Sequence, residues 1–398
     1  MRILLVTQNF YPENFKGNDI AFDLAKRGHR VEVLTAIPNY PQGRFYKGYG
    51  FFSRRKEIVD GVIIRRVLTI PRRHNKICLI LNYLVFWLLG SFRAFFLGLT
   101  HRYDRVLVQQ LSPITQAYPG IIVSRMQHIP LYMWVLDIWP DSMVSGGGIR
   151  NPFVIKMMNR IVTQIYNHCT KILISSEGFR QLVNRHGNYD ERIVYFPNWS
   201  EDMLSMPIAD IPALPEGFRI MMAGNLGEAH RLNEVMRAVL MMRDDPRVKW
   251  IFVGDGSKKN WLEEFVKKHK LENTVFILGR YPFSTMPAFF ACADVMLLSL
   301  KVDFPHLKAV VPARLQSYMS AARPILAMTD GGAAQIIREA DCGYVVPSGD
   351  SEALVRLIRN KILTDLESLA IKGQNGRRYF ERYFMKEHCM NNLEKIIA

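Results

Sequence analysis

The chain has 398 residues, and at roughly 100–200 residues per domain this length predicts two or three domains. Hydrophobic residues make up 49% and charged residues 22%, with 26 glycines and 20 prolines, so collagen-like and low-complexity chains are excluded. Lys and Arg number 52 against 36 Asp and Glu, and the net charge of +16 favours anionic partners: nucleic acid, phosphorylated small molecules or an acidic membrane surface.

The first half of the chain alternates apolar runs of strand length with longer, helix-like stretches. Most of these runs are continuously apolar, which is typical of parallel strands covered by helices on both faces. Between the first two runs, the stretch from Ile20 to Gly28 predicts a helix that stops at its glycine. This alternation indicates a doubly wound α/β domain. The predicted strands cover residues 2–7, 30–35, 62–67, 104–109, 129–136, 170–175 and 193–196.

Two strand ends in this half carry candidate ligand-binding residues. The loop after the first strand leads to Lys16 and Gly17, and a glycine before a helix lets backbone N–H groups approach a phosphate. The strand at 129–136 delivers Asp137 to the carboxyl edge of the sheet, where open α/β sheets bind ligands. The structural alternatives are a plain surface loop at the first place and a turn or helix-capping aspartate at the second.

Residues 77–99 form an apolar run with one charge, Arg93, and are long enough to cross a bilayer. A spanning helix would separate the preceding strands from the rest of their sheet, so a buried core helix and a monotopic membrane surface remain. The basic flanks Arg72, Arg73, His74 and Lys76, with further basic residues after the segment, favour the monotopic surface. The predicted membrane residues are Arg72, Arg73, Lys76, Phe86, Trp87, Phe95 and Phe96.

Four prolines crowd residues 197–217, which indicates an interdomain linker. Strand and helix patterns alternate again after it, so the chain is predicted to form two βαβ domains of similar size. The domain limits are predicted at residues 1–200 and 201–379. The second set of predicted strands covers residues 218–223, 248–253, 274–278, 294–298, 324–328 and 343–346.

The second half contains several loops that suit a nucleotide diphosphate. The strand at 218–223 runs into a glycine loop, then Arg231, then a helix, so this arginine is placed to meet a diphosphate at a helix N-terminus. Arg314 precedes one helix and Gly331-Gly332 begin another. An exposed arginine in a salt link and purely structural turns are the alternatives. The residues predicted to bind the nucleotide are Gly254, Gly256 and Arg280.

Several chemical signatures are missing from the sequence. It has no Asp-x-Asp pair, so a carboxylate cage for a divalent metal is not indicated, and no metal is expected. It has no HExxH, GxSxG or kinase signature. Its five cysteines are dispersed and form no CxxC pair, which argues against a disulfide framework or zinc knuckle and favours a reducing cytosolic setting.

Taken together, these motifs resemble glycosyltransferase family 4, within the GT-B fold, over essentially the whole chain. The resemblance is most specific to transferases of bacterial O-antigen and capsule synthesis, above all those for N-acetyl-L-fucosamine. It is carried, in order, by the strings DIWPDS, SSEGF, FPNWSED, AGNLGEAH, VGDGS and VPARLQSYM…RPILAM.

The resemblance implies an α/β architecture of two Rossmann-like, doubly wound parallel-sheet domains facing across a cleft. It implies transfer from a sugar nucleotide with retained configuration and usually without metal, and a C-terminal helix, at about 380–398, that crosses back onto the first domain. Asp137 takes the catalytic position that is often His in the family. The residues implied to hold the donor and its diphosphate are Lys16, Gly17, Asn225, Arg231, Arg314, Ser317, Gly331 and Gly332.

The sequence departs from the family pattern in two places. The basic pair after the first strand of the second domain falls on Asn225 and Arg231, so only its second member is basic. Both carboxylates of the Glu-x7-Glu motif are absent, because their positions fall on Ala309 and Ser317. Arg314, Gln316 and Ser317 are the candidates to replace them.

The resulting hypothesis is a retaining hexosyltransferase that moves a sugar from a UDP-sugar to an undecaprenyl-diphosphate-linked saccharide. Such an enzyme is expected in the cytoplasm, peripheral to the inner face of the inner membrane, without cofactor and without nucleic acid. A sugar-nucleotide epimerase of GT-B fold is the enzymatic alternative, although its acids and bases cannot be assigned. A non-enzymatic basic protein would also account for the charge, but no nucleic-acid motif accompanies it.

Overall fold

The computed structural model describes residues 1–73 and 75–398, so His74 of the basic flank lies outside the described residues. The chain divides into two compact units: Met1–Phe196 together with Met390–Ala398, and Pro197–Cys389. The linker prolines thus begin where the first unit ends. The sequence prediction set the division at residue 200 and the return of the chain at about residue 380.

The sheet of the first unit is almost entirely parallel. Within the described residues it has eight strands in the order β3-β4-β2-β1-β5-β6-β7-β8, and only the β3–β4 pair is antiparallel. The order reverses between β1 and β5, which is the point where open α/β sheets bind ligands. The strands are β1 (Arg2–Val6), β2 (Arg30–Ala36), β3 (Lys56–Val59), β4 (Val62–Val67), β5 (Arg105–Gln110), β6 (Leu131–Val135), β7 (Lys171–Ile174) and β8 (Ile193–Tyr195).

Helices cover this sheet because every parallel crossover needs a connection of a dozen or more residues. The first helix ends at Lys26, and Gly28 follows with a φ of +88°, as the sequence pattern predicts. The helices of the first unit are α1 (Lys16–Lys26), α2 (Lys76–Thr100), α3 (Tyr118–Gln127), α4 (Asp141–Gly147), α5 (Pro152–His168) and α6 (Phe179–Asn184).

Helix α2 packs on its own unit through one narrow stripe. Phe86, Gly90, Ala94 and Gly98 follow at intervals of four residues and are buried, since this spacing keeps them on one helix face. A Cβ on Gly98 would lie 2.9 Å from the Met126 sulfur, so the two helices approach closely there. The prediction that Phe86 faces a membrane is therefore wrong, because its side chain is 0% exposed.

The remaining circumference of α2 is apolar and exposed. By length and composition this helix could cross a membrane, yet only 22% of its most apolar window is buried inside the protein. Its packing stripe runs from the first turns to the last, so the helix lies along the unit over its whole length. The exposed large side chains are Ile77, Ile80, Leu81, Leu84, Leu88, Leu89, Phe92, Phe95, Phe96 and Leu99, and we call this set the exposed α2 face.

The second unit has a parallel sheet of the same kind. Its order is β11-β10-β9-β12-β13-β14, so the reversal lies between β9 and β12. Its strands are β9 (Phe218–Ala223), β10 (Val248–Val253), β11 (Val275–Gly279), β12 (Val295–Ser299), β13 (Ile325–Met328) and β14 (Gly343–Val346). Its helices are α7 (Leu232–Met241), α8 (Lys259–His269), α9 (Met286–Ala291), α10 (Pro305–Ala309), α11 (Ala313–Ser320), α12 (Gly332–Glu339), α13 (Ser351–Leu357) and α14 (Leu366–Tyr383), and α15 (Lys386–Ile397) follows.

The last residues of α15 are fastened to the first unit by hydrogen bonds and ion pairs. Arg27 donates to Asn391 Oδ1 at 2.6 Å and pairs with Glu394 at 3.1 Å. Arg105 donates to the carbonyl oxygens of Ile397, at 2.7 Å, and Ala398, at 2.6 Å. These contacts explain why the C-terminal residues belong to the first unit, although the return begins later than the sequence prediction placed it.

Candidate functional site

Polar side chains collect at the carboxyl ends of the central strands of the first unit. Asn9 follows β1, Arg72 follows β4, Ser112 follows β5 and Asp137 follows β6, while Glu13 lies in the loop after β1. These strands are close neighbours around the reversal point of the sheet. We call these five residues the polar edge of the first unit.

Asp137 is held by three donors. The hydroxyls of Ser142 and Ser112 donate to Oδ1 and Oδ2, respectively, and the Trp139 indole N–H donates to Oδ2 at 3.2 Å. These donors fix the orientation of the carboxylate at the position where the sequence predicted a catalytic residue, and the DIWPDS string supplies two of the three.

Glu13 organises the loops around the polar edge, although its side chain is only 1% exposed. Its Oε1 accepts from the backbone N–H groups of Asn39 and Tyr40, both at 2.6 Å, and its Oε2 accepts from Asn9 Nδ2 at 3.0 Å. Burial raises the pKa of Glu13 above its ordinary value, while these hydrogen bonds act in the opposite direction. The carboxylate thus ties the loop after β2 to the loop after β1.

The side chain of Arg72 points into the polar edge. Its guanidinium carbon lies 5.3 Å from the ring centre of Tyr40 and 5.5 Å from that of Tyr83, and its Nη2 donates to Asn9 Oδ1 at 3.3 Å. The membrane contact predicted for Arg72 is not supported by this arrangement, because the side chain is half-buried between aromatic rings. Arg73 and Lys76 are exposed, as a membrane contact requires.

Gly17 is explained by packing. A Cβ at this position would lie 2.2 Å from Gln109 Oε1, so a larger residue at the start of α1 would displace the Gln109 side chain at the end of β5. Lys16 precedes it and pairs with Asp19 at 3.5 Å. The donor role predicted for these two residues stays a prediction.

A cavity of about 470 Å³ lies at the carboxyl edge of the second sheet, and we call it the second-unit cavity. Four of the predicted donor and nucleotide residues that follow strands or begin a helix line it: Asn225, Gly254, Arg280 and Arg314. Ser317 also lines it, and its hydroxyl lies 2.9 Å from that of Ser200. The side chains of Tyr281, Phe283, Met286 and Phe290 give the cavity an apolar wall.

A hydrogen-bond chain positions Arg314 in this cavity. Its Nη2 donates to the Asn225 carbonyl oxygen at 2.8 Å and lies 3.1 Å from His230 Nε2, while His230 Nδ1 lies 3.2 Å from the Ser299 carbonyl oxygen. Burial, with a further contribution from Arg314, lowers the pKa of His230 to about 4. The neutral ring therefore donates from Nδ1 to Ser299 and accepts at Nε2 from Arg314. Gln316, in contrast, is buried away from the cavity.

Two glycines let the loop after β10 approach the loop after β9. Gly254 has a φ of +147°, and a Cβ there would lie 1.8 Å from the Gly224 carbonyl oxygen. Gly256 has a φ of +159°, and a Cβ there would lie 2.5 Å from the Leu226 carbonyl oxygen. Glycine is therefore needed at both positions, but only Gly254 is among the residues that line the cavity, and the nucleotide contact predicted for Gly256 stays a prediction.

The other residues predicted to bind the diphosphate are not among those that line this cavity. Arg231 pairs with Asp303 and, at 3.2 Å, with Glu234. Its φ is +46°, a left-handed conformation directly before α7. Gly331 and Gly332 begin α12 after β13, and a Cβ on Gly331 would lie 1.9 Å from the Lys308 carbonyl oxygen. Because two acidic side chains already pair with Arg231, the structure does not support the diphosphate contact predicted for it.

A larger groove, of about 790 Å³, lies at the opposite edge of the second sheet, beside Phe218, Asp294 and Pro324 at the amino ends of three strands. Ligands of open α/β sheets bind at the carboxyl ends, so volume does not make this groove the better candidate. Among the described residues, no group of three or more His, Cys, Asp or Glu side chains could hold a metal ion.

Sequence reasoning missed several residues of both sites. His230 is the last residue of the AGNLGEAH string, but the prediction selected its neighbour Arg231 instead. No motif marks Glu13, Tyr40 or Tyr83. Glu13 and Tyr40 contact residues at least 26 positions away in the chain, and the role of Tyr83 depends on which face of α2 it occupies. Ser142 was visible in DIWPDS as a hydroxyl five residues after Asp137.

Two family models match the chain, one mainly in each of its two units. A family model described as glycosyl transferase 4-like domain matches residues 18–199. A second, described as glycosyl transferases group 1, matches residues 209–379.

Two curated proteins show detectable similarity. The chain is 28% identical to WbjE of Pseudomonas aeruginosa, by name a glycosyltransferase, over 254 residues that cover 60% of this chain and 62% of that protein. It is 25% identical to WcaI of Escherichia coli strain K12, by name a colanic acid biosynthesis glycosyl transferase, over 99% of this chain and 98% of that one.

A solved structure supports the fold. HepE of Anabaena, in complex with UDP and glucose, aligns with a TM-score of 0.69 and 16% identity over 100% of this chain and 99% of that chain. At this identity the likeness bears on the fold alone. The expected fold class of two parallel-sheet α/β domains of GT-B type is confirmed.

Proposed function

We propose that the chain transfers a sugar from a UDP-sugar to a lipid-linked saccharide, on the premise that family models described as glycosyl transferase 4-like domain and glycosyl transferases group 1 match residues 18–199 and 209–379. The observation that carries the proposal is the second-unit cavity, where glycine loops and Arg314 meet an apolar wall. A nucleoside diphosphate has the matching parts, because its diphosphate is anionic and its base is flat and largely apolar on its faces. HepE, which shares the fold, binds UDP.

We assign the leaving diphosphate to Arg314 and the adjacent glycine loops. A guanidinium stabilises negative charge as it develops on the departing UDP, and backbone N–H groups at glycine turns add to this effect. His230 keeps Arg314 in place through a neutral ring. Ser317 and Arg314 occupy the region where the family pattern places a glutamate, and with Asn225 they form the donor side of the cavity.

We assign the catalytic role in the first unit to Asp137. Its carboxylate oxygens are engaged by Ser112, Trp139 and Ser142, so it is held as an oriented electrostatic group rather than a free nucleophile. This favours attack by the acceptor hydroxyl on the same face that the diphosphate leaves, which retains the anomeric configuration. In this scheme the acceptor O–C1 bond forms as the C1–O–phosphate bond breaks, and the acceptor proton passes to the departing diphosphate.

The acceptor is proposed to be a saccharide on undecaprenyl diphosphate, in the synthesis of an O-antigen or capsule. The name of WcaI, a colanic acid biosynthesis glycosyl transferase, supports a role in surface polysaccharide synthesis. N-Acetyl-L-fucosamine is the proposed donor sugar, on the motifs of the sequence alone. No observation in the structure favours an epimerase.

The enzyme is proposed to work as a monotopic protein on the inner face of the inner membrane. The exposed α2 face is apolar over ten large side chains, and Arg73 and Lys76 lie beside its first turn. The charge of +16 adds attraction to anionic lipid. Because α2 also packs along its own unit, we expect it to lie in the interface and not to cross it. Trp87, stacked on Tyr118 at 5.4 Å, is half-buried, so Phe95 and Phe96 are the stronger aromatic contacts.

Product analysis tests the proposed transfer. The purified protein is incubated with a panel of UDP-sugars and a saccharide on a polyprenyl diphosphate, and the lipid product is measured by mass spectrometry. We expect the acceptor mass to increase by one sugar residue with one donor of the panel, and Asp137→Asn to abolish most of this product. An isomerised UDP-sugar without any change in the acceptor would show an epimerase instead.

A further inference from the structure

Arg72 is a cation held in place without an acidic partner. Among the described residues, no carboxylate lies within 4.0 Å of its guanidinium, whereas Arg65 and Arg66 on the neighbouring strand β4 each pair with a glutamate. Its Nε is buried and, among these residues, has no hydrogen-bond partner. The guanidinium instead contacts the rings of Tyr40 and Tyr83 and the Asn9 amide oxygen, and Glu13 acts on it electrostatically without forming an ion pair.

The surroundings of Arg72 fix its direction. Its backbone N–H donates to Asn39 Oδ1 at 3.3 Å, and Glu13 binds the backbone of Asn39 and Tyr40. Burying a carboxylate and an arginine so close together without pairing them costs free energy, which a merely structural role would avoid. Glu13 accepts from two backbone N–H groups and from the Asn9 amide and, among the described residues, forms no ion pair with Arg72, so the guanidinium edge stays available to an anion.

The position of Arg72 links two features already described. It precedes α2 by four residues, so it lies at the start of the helix that carries the exposed α2 face. Tyr83 adjoins Arg72 and is also within electrostatic range of Asp137, since Arg72 lowers its pKa and Asp137 raises it, while burial remains the main cause of its raised pKa. Arg72 therefore precedes the helix that carries the exposed α2 face, and it shares the neighbour Tyr83 with the proposed catalytic carboxylate.

We propose that Arg72 binds the diphosphate of an isoprenoid-linked acceptor. The isoprenoid chain would lie along the exposed α2 face, and the saccharide beyond the diphosphate would extend toward Asp137. Arginine suits this role because its planar N–H groups match phosphate oxygens in pairs. The inference rests on the proposed transferase function and adds to it the residue that recognises the acceptor's anionic group.

Binding measurements test the inference apart from catalysis. Farnesyl diphosphate, inorganic diphosphate and vesicles of phosphatidylglycerol are the three probes, and each titration contains saturating UDP to fill the second-unit cavity. Arg72→Gln is compared with Arg192→Gln, which removes another arginine stacked on a tyrosine, 4.8 Å from Tyr189, at the amino ends of the strands of the same unit. Thermal unfolding of each variant reports whether it is folded.

We expect Arg72→Gln to weaken farnesyl diphosphate binding about tenfold or more, as the loss of a charged hydrogen bond predicts. Arg192→Gln should change it less than about twofold on the same scale. Arg72→Lys keeps the charge but not the paired N–H groups, so its affinity should lie between wild type and Arg72→Gln; it also carries the test if Arg72→Gln does not fold. Inorganic diphosphate should bind weakly but show the same order of variants.

Three results would overturn the inference: no binding of farnesyl diphosphate to the wild type, equal losses in Arg72→Gln and Arg192→Gln, or a loss confined to phosphatidylglycerol vesicles. The last result would assign Arg72 to lipid headgroups. Failure of the proposed function is distinguishable, because it would appear as absent sugar transfer in a protein that still binds farnesyl diphosphate through Arg72.

Discussion

Arg72 in the first unit and Arg231 in the second both lie in a loop between a strand and a helix, but their neighbours differ. Arg72 stands between two tyrosine rings without a carboxylate partner among the described residues, whereas Arg231 pairs with Glu234 and Asp303. The charge of Arg231 is already neutralised inside the protein, and that of Arg72 is not. This difference is the reason why we assign an anion to Arg72 and none to Arg231.

The same contrast exists within the second unit. Arg314 lines the second-unit cavity and is held by a carbonyl oxygen and a neutral histidine, neither of which cancels its charge. The sequence placed Arg231 and Arg314 in one group of diphosphate residues. The structure separates them, because Arg314 lines the cavity and Arg231 does not.

The largest effect is expected at Asp137. Asp137→Asn removes the fixed negative charge and places an amide N–H₂ against donors, so turnover should fall by about 10²–10⁴-fold. The melting temperature should change little, because the Ser112 and Ser142 hydroxyls can rotate to accept. Asp141→Asn, which loses only a surface pair with Arg185 at 3.5 Å, is the matched control. Near-normal turnover of Asp137→Asn would reduce this residue to a structural role.

Arg314 and Arg231 should respond differently to truncation. Arg314→Ala should weaken UDP binding by about 10–150-fold, which corresponds to a charged hydrogen bond of about 1.5–3 kcal/mol. Calorimetric titration with UDP measures this directly. Equal losses in Arg314→Ala and Arg231→Ala would contradict the distinction drawn between paired and unpaired arginines.

His230 should make stability depend on pH. Its pKa is about 4 in the folded protein against 6.5 in the unfolded chain, so the unfolded chain binds a proton first as pH falls. The free energy of unfolding should therefore be highest above about pH 6.5 and decrease toward pH 4, by roughly 1–3 kcal/mol from this residue. Denaturant titrations at a series of pH values give the free energy of unfolding of wild type and His230→Asn. This free energy should change more steeply with pH in the wild type, and an identical pH dependence would show that His230 is not the cause.

The sequence predicted the architecture well because buried parallel strands are continuous apolar runs. Each predicted strand overlaps an observed one, and only β3 was missed, since its Lys56 and Glu57 are the charged residues of an edge strand. The direction of side chains was harder to predict. An all-round apolar helix does not reveal that Phe86 faces inward, and Arg72 is directed by Tyr40, which is 32 residues away.

Membrane binding should depend on Arg73 and Lys76 and not on Arg72. Arg73→Glu with Lys76→Glu should weaken binding to vesicles of phosphatidylglycerol, since each basic residue contributes about 1 kcal/mol near an anionic surface. The wild-type advantage should decrease as salt rises. Flotation of vesicles with bound protein is the measurement, and Lys259→Glu, on α8 of the second unit, is the control. No vesicle binding by the wild type would remove the monotopic proposal.

The smallest effect is expected at Arg231 itself. Arg231→Ala should change UDP affinity less than about threefold, because its guanidinium is occupied by Glu234 and Asp303 and lies outside the cavity lining. Its effect should appear instead in stability, as a lower melting temperature. A tenfold loss of UDP affinity without a change in melting temperature would show that Arg231 binds the donor after all.

Sugar transfer from a UDP-sugar to a lipid-linked acceptor can be measured as UDP release that depends on the acceptor. UDP is measured in a coupled assay with one UDP-sugar, with and without a saccharide on polyprenyl diphosphate. We expect UDP release to rise at least tenfold with the acceptor and to match the amount of glycosylated lipid. UDP release that is the same without the acceptor, or no release although UDP binds in the second-unit cavity, would contradict it.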